Sequence, residues 1–295
     1  MREYVIVTDS TCDLTDEMVK ELGVEVLPLC FTIDGKEYKN YLDGREIKLH
    51  EFYNKMIEGH TPKTAQLNVN FIMESFKPFL DKGLDILYIS FSSGLSGSCN
   101  AVRLAKEQLL DEYNDRKIEI VDSLCASGGE GLLVWMTAMN KKAGASLEEN
   151  SKYADDLKLH VKHSFTVADL EYLKRGGRIK ATAAFAAKLL NIKPVLHVDN
   201  LGHLVALSKK HGRRAALNAT CENALAGIDT SKKFITIISH ADSLEDAEYC
   251  KEYMEAKYKE MNFDSKVVLT NIGPVIGAHS GPGTIAVFTI TDKRA

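Results

Sequence analysis

The stretch FSSGLSGSCNAV, residues 91–102, sets Ser92, Ser93, Ser96 and Ser98 among two glycines, between an apolar run and a helical repeat. Hydroxyls and glycines at such a junction suit several kinds of chemistry. A phosphate would sit on backbone N–H groups at the helix start, where the dipole favours an anion. The stretch lacks the lysine of GxxxxGK[ST] and the spacing of GxGxxG, so it gives a nucleotide weak support. A nucleophilic serine would occupy the turn of GxSxG, but Gly94-Leu95-Ser96-Gly97 is one residue short of that pattern. A carboxylate receptor needs only converging hydroxyl and amide donors, which are present. An ordinary strand-to-helix turn with serine caps accounts for the same residues, and the stretch alone leaves the choice open.

Other residues carry weaker signals. In GAHSGPGTIAVF (277–288), His279 stands in a tight glycine-rich loop leading into a strand. Glycine permits backbone conformations closed to other residues, so such a loop can approach a ligand closely; a structural histidine is the plain alternative. Arg178, after Gly176-Gly177, can pair with an anion or with a carboxylate of the protein itself. Thr64 and Gln66 lie in HTPKTAQLN (60–68), which reads as a polar loop. Lys209, Lys210, Arg213 and Arg214, together with Lys174, Arg175 and Lys180, form basic groups that suit either a negatively charged partner or a solvated surface. TAAFAAKLLNI (182–192) reads as an apolar helix, either core or the wall of a greasy pocket.

The elements that must position these residues follow from periodicity. YVIVTD (4–9), VEVLPLCF (24–31), LDILYISF (84–91) and KIEIVDS (117–123) read as strands separated by helices. Thr15 is placed to start the first helix and Gly23 to stop it. Near-continuous apolar strands alternating with helices imply a parallel sheet covered on both faces, with ligands beyond the carboxyl ends of its strands. The polar ends TDST (8–11), SFSSGLSGS (90–98) and VDSLCASGGEG (121–131) all fall there. After about residue 160 the rhythm becomes α+β. PVLHVDNLGHLVAL reads as a hairpin, and SLEDAEYCKEYMEAKYKEM as a helix with Ser243 and Asp246 at capping-box spacing. Residues 144–164 carry a weak linker signal.

Composition limits the function classes. The chain has 295 residues and a formal net charge of −4, which argues against general nucleic-acid binding. No apolar run approaches the roughly 20 residues that span a bilayer, and MREYVIVTDS lacks a signal peptide's apolar segment, so the expected location is the cytoplasm. The six cysteines form no CxxC pair and no metal-ligand spacing. Cys99 and Cys125, beside polar loops, are the two candidates for a reactive thiol.

In order along the chain, TDSTCDL, PKTAQ, SSGLSGS, VDSLCASGGEG, FTVADLEYLKRGGRI, LNIKPVLHVDNLGHL, KKHGRRAAL and HSGPGTIAVF resemble the DegV family. The best-understood members of that family are the fatty-acid-binding subunits of bacterial fatty acid kinase. The resemblance runs from residue 8 to residue 288. It implies an α/β fold in two domains, with a parallel sheet flanked by helices in 1–160 and an α+β domain with a mixed or antiparallel sheet in 161–295. A long-chain fatty acid would lie in a tunnel between them. Its carboxyl end would meet Thr64, Ser93 (or the neighbouring Ser92 or Ser96) and His279, with Arg178 joining the network. Ala65 stands where the family often has serine, which implies one donor fewer.

The resemblance also implies a binding protein rather than an enzyme, with no cofactor and no metal. An ATP-binding kinase partner would phosphorylate the presented carboxylate, and transient membrane contact is allowed. A buried acyl chain gains about 0.8 kcal/mol per CH₂, whereas a carboxylate buried without partners is costly, so hydroxyls and an imidazole suit its head. The competing expectation is a serine-dependent acyl hydrolase or transferase, with Ser93 or Ser96 as nucleophile and His279 as base.

Overall fold

A computed structural model of the protein describes residues 2–179 and 191–294. Strands β1 (Tyr4–Asp9) and β2 (Val24–Leu27) open a four-stranded sheet that β6 (Asp85–Ser90) and β7 (Ile118–Asp122) complete. Its order is β2-β1-β6-β7, and every pair is parallel. All residues of β1 and β6 are buried, as a parallel sheet covered on both faces requires. Between β1 and β2, helix α1 (Asp16–Leu22) starts where Thr15 Oγ1 accepts the Met18 N–H at 3.2 Å, and it stops at left-handed Gly23. Between β6 and β7, α4 (Ser98–Glu112) buries Val102, Ala105 and Leu109 completely.

The run 24–31 is not one strand. Pro28 has no N–H to donate to a ladder, and beyond it the chain restarts as β3 (Cys30–Ile33) in a separate antiparallel sheet of order β4-β3-β5. β4 (Lys36–Lys39) follows a two-residue Asp34-Gly35 turn, both residues at positive φ, the usual chemistry of a tight hairpin. β5 (Lys63–Ala65) lies inside HTPKTAQLN, so that stretch is not the plain loop expected, and it sets Thr64 opposite Phe31.

The second half forms a six-stranded mixed sheet from β8 (Val161–Thr166), β9 (Ile192–Val198), β10 (Leu204–His211), β11 (Thr236–His240), β12 (Val267–Asn271) and β13 (Ile285–Ile290). Its order is β10-β9-β8-β13-β11-β12, with only β11 and β12 parallel. The expected hairpin is β9–β10. The expected linker is instead ordered: α6 (Leu147–Leu157) starts with a complete Ser146–Glu149 capping box and leads through a single 3-10 turn, Lys158–His160, into β8. No such box forms at α9 (Leu244–Glu260), because Ser243 Oγ donates to the Asp246 carboxylate and caps no backbone N–H. The expected loop around His279 is the end of a short helix, α10 (Pro274–Ser280). Of the expected helix at 182–192, residues 182–190 lie outside the described residues, and Ile192 already belongs to β9.

Helix α5 (Gly128–Lys142) packs against strands of both large sheets. A Cβ at Gly129 would lie 2.1 Å from His163 Nε2, so only glycine allows this approach to β8. One core cluster joins Ile6, Leu87 and Val121 of the parallel sheet to Phe165, Leu196, Ile237 and Phe288 of the mixed sheet. Among the described residues, no helix is long and apolar enough to cross a membrane.

Candidate functional site

The carboxyl ends of the parallel strands open onto a cavity of about 340 Å³, within the range of small-molecule sites. Thr11, Phe91, Ser96, Gly97, Ala126 and Ser127 approach it from the loops after β1, β6 and β7. β5 and the residue after it contribute Thr64, Ala65 and Gln66; α10 contributes Val275, Ile276, His279 and Ser280. The mixed sheet supplies His163, Phe165, Val198, Ala286 and Phe288, while Leu173 and Arg178 come from α7 (Glu171–Arg175) and the turn after it. The wall is therefore mostly hydrocarbon, with polar groups gathered where β5, α10 and the serine loop meet.

Thr64 Oγ1 lies 2.8 Å from His279 Nε2. A Cβ at Gly176 would fall 2.3 Å from His279 Nδ1, and Nδ1 is buried without a hydrogen-bond partner among the described residues. Orphaned buried N–H groups are rarer than orphaned acceptors, which assigns the ring proton to Nε2, donating to Thr64 Oγ1. The Thr64 hydroxyl proton is then free to point at a ligand. Burial, and secondarily the charge of Arg178, pushes the His279 pKa down to about 4, so the imidazole is neutral near pH 7. Arg178 itself is anchored by Nε to the Leu95 carbonyl at 3.3 Å and by Nη1 to the Gly176 carbonyl.

Four of the six expected site residues, Thr64, Ser96, Arg178 and His279, meet at this cavity; Ser92 and Ser93 do not line it. Leu95 N–H and Ser96 N–H both return to the Ser92 carbonyl, a turn that brings Leu95, Ser96 and Gly97 round to the wall. Ser92 is buried, its Oγ donating to the Gly202 carbonyl at 2.9 Å and pinning the loop to the β9–β10 hairpin. Ser93 is exposed, and its N–H donates to Asp122. Ser96 Oγ accepts the Ser98 N–H at the start of α4. No serine hydroxyl is hydrogen-bonded to His279 among the described residues, so a serine–histidine pair for acyl hydrolysis is not assembled.

The basic groups are largely engaged within the protein. Arg213 Nε lies 2.8 Å from Asp246 Oδ2, and its Nη2 donates to the Gly283 carbonyl at 2.6 Å. Arg214 stacks on Tyr249, Lys174 pairs with Glu171, and Arg175 lies over Tyr172. Lys180 lies outside the described residues. Cys99 and Cys125 are fully buried, and burial raises both thiol pKa values, that of Cys125 to about 11, which counters the expectation of a reactive thiol.

Sequence motifs did not point to a buried carboxyl group network behind the cavity. Thr11 Oγ1 contacts Asp9 Oδ1 and, at 2.8 Å, Glu130 Oε2. Thr8 Oγ1 lies 2.9 Å from the Ile89 carbonyl and 3.0 Å from Glu130 Oε1. A carbonyl only accepts, so the single Thr8 proton goes to Ile89 and the proton on the second contact belongs to Glu130. Burial accordingly pushes the Glu130 pKa well up. Asp13, raised to about 7 by burial, accepts from Ser127 Oγ at 2.5 Å and from Gly273 N–H at 2.9 Å, and so holds the start of α10 against the wall. Among the described residues, no group of histidine, cysteine and carboxylate side chains is arranged to hold a metal.

The DegV family (uncharacterised protein, DegV family) matches residues 3–292. A DegV domain-containing protein of Clostridium perfringens is 40% identical over 294 residues, covering 100% of this chain and 99% of its own. A stearic acid-binding protein from Eubacterium ventriosum has the same fold at a TM-score of 0.87, with 28% identity and 98% of each chain covered. A fatty-acid-binding DegV family protein from Thermus thermophilus aligns at a TM-score of 0.82 and 28% identity, over 99% of this chain and 100% of the other. The motif order, the pairing of a parallel with a mixed sheet, and these matches over the full length agree: the chain belongs to the DegV family.

Proposed function

We propose that this protein binds a long-chain fatty acid in the cavity, between an α/β domain of residues 1–160 and an α+β domain of residues 161–295. The acyl chain lies against Phe165, Phe288, Val198 and Val275, and the carboxylate meets Thr64, Ser96 and Arg178, with His279 orienting the Thr64 hydroxyl toward it. The observation that carries this reading is the join of Thr64 to a neutral, buried His279 on the wall of a mostly hydrocarbon cavity. Hydroxyl donors and one guanidinium offset the head-group charge, and among the described residues no serine hydroxyl is hydrogen-bonded to His279 for an attack on it. The fatty acid ligands of related DegV proteins support the same substrate class. Titration of delipidated protein should show saturable binding of hexadecanoic acid and much weaker binding of a hexadecyl ammonium ion. Equal binding of both, or of neither, would remove the reading.

The bound acid is presented to an ATP-binding kinase partner, which forms the acyl phosphate. A carboxylate held by hydrogen bonds alone keeps the lone pairs needed to attack a phosphoryl group, and the sequence of this chain carries neither phosphate-loop nor dinucleotide spacing. Incubation with the kinase, ATP and acid, followed by hydroxylamine trapping, should yield the acyl hydroxamate only when all components are present.

A further inference from the structure

Among the described residues, four buried side-chain polar atoms have no hydrogen-bond partner: Thr166 Oγ1, Arg213 Nη1, His279 Nδ1 and Ser280 Oγ. Only His279 and Ser280 line the cavity. His279 Nδ1 faces Gly176. Ser280 is 6% exposed, stands on the cavity wall, and its hydroxyl has no hydrogen-bond partner among the described residues. Buried hydroxyls are nearly always partnered, and other hydroxyls on this wall are. Thr11 is held by Asp9 and Glu130, Ser127 by Asp13, and Ser96 by Ser98. Thr284 Oγ1 lies 3.0 Å from the Ser280 carbonyl and 2.9 Å from that of Gly281, which fixes the main chain that carries Ser280.

We infer that Ser280 is a further head-group ligand, donating its hydroxyl to the carboxylate oxygen that Thr64 does not hold. This rests on the fatty-acid reading above. Ser280 follows His279 on α10, and His279 holds Thr64 of β5 at 2.8 Å, so both hydroxyls belong to one stretch of the cavity wall. A carboxylate has two oxygens about 2.2 Å apart, each able to accept a hydrogen bond of about 2.8 Å, so it can take a donor from each. Because His279 is neutral, it brings no counter-charge, and a second hydroxyl donor meets the need that Ala65 leaves open.

The test uses [1-¹³C]hexadecanoic acid bound to the full chain, with the wild type, Ser280→Ala and Ser280→Thr compared by carboxyl ¹³C resonance and affinity. Ser280→Ala should move the bound carboxyl resonance, raise the apparent pKa of the bound acid and weaken binding roughly tenfold. Ser280→Thr, which keeps the hydroxyl, should restore all three. An unchanged carboxyl resonance and pKa in Ser280→Ala would overturn the inference. If Ser280→Ala does not fold, a Ser280→Thr resonance identical to that of wild type supports the inference and a free-acid resonance contradicts it. Absence of a bound acid in the wild type removes the fatty-acid reading itself, a result visible before any variant is made.

Discussion

Thr64 and His279 lie 215 positions apart in sequence and 2.8 Å apart in space. The small β3–β4–β5 sheet carries the threonine and a seven-residue helix carries the histidine. With an imidazole neutral down to about pH 4, this pair acts, on the proposed function, as a hydrogen-bonding head-group clamp rather than a proton shuttle. In the ligand-free protein, histidine NMR should show the His279 ring titrating near 4; a titration near 6.5 would contradict the buried, uncharged role.

Replacing His279 with alanine should weaken acid binding by less than tenfold, since one neutral hydrogen bond is worth about 0.5–1.5 kcal/mol. Transfer of phosphate from the kinase partner should fall further, on the order of a hundredfold, because head-group placement governs the reacting geometry. A cycle with Thr64→Val should be non-additive, as expected for groups in contact. Calorimetry and hydroxamate trapping read the two effects separately, and a larger loss in binding than in transfer would move His279 out of this role.

Arg213→Glu should lower both stability and acid affinity. Arg213 ties α8 (Arg213–Leu225) to Asp246 and to the Gly283 carbonyl, in the turn that joins α10 to β13. Reversal sets two carboxylates together at a site only about one quarter exposed, at a cost of about 2 kcal/mol after allowance for solvent screening. A variant that keeps its urea midpoint and lipid affinity but loses kinase coupling would instead make Arg213 a docking residue.

Asp13 gives a pH dependence with a definite sign. Its pKa is about 7 in the folded protein and about 3.9 in an unfolded chain. The folded state therefore holds the extra proton between those values. The stability from this group is complete below pH of about 4 and is lost as pH rises through 7. His279 acts in the opposite sense, its contribution being lost as pH falls from 6.5 through 4, so the wild-type profile is partly flattened. Comparison with Asp13→Asn isolates the first effect. The stability gap between wild type and variant should shrink by about 1.4 kcal/mol per pH unit between pH 4.5 and 6.5. A gap that stays constant, by urea unfolding, would contradict the assignment.

Glu130 is assigned as a neutral acid between Thr8 and Thr11. Glu130→Gln should therefore fold with a loss of about 1 kcal/mol, whereas Glu130→Ala should lose roughly 2–3 kcal/mol by leaving buried hydroxyls without partners. Equal losses in the two variants would mean that the carboxyl is ionised.

The parallel sheet was legible because its strands are continuous apolar runs with polar ends, and those ends do reach the cavity. Pro28 and the Asp34-Gly35 turn marked the third sheet, but the apolar run 24–31 continues across the proline and obscures the break. His279 stood out in the sequence by its glycine-rich surroundings, yet periodicity over seven residues containing one glycine and a proline does not announce a helix. Among the serines, one turn of backbone decides which of them lines the cavity, and composition says nothing of that; the wall includes Ser96 and not Ser93. Glu130, Asp13 and Ser280 had no local motif, since their partners come from residues 8, 11, 127 and 273 or from the cavity itself.

Native mass spectrometry of the gently purified full chain tests the central claim most directly. The account predicts one long-chain acid per chain, removed by delipidation and regained from added hexadecanoic acid with a matching mass increment. A single ligand-free mass that takes up no acid at saturating concentration would contradict it.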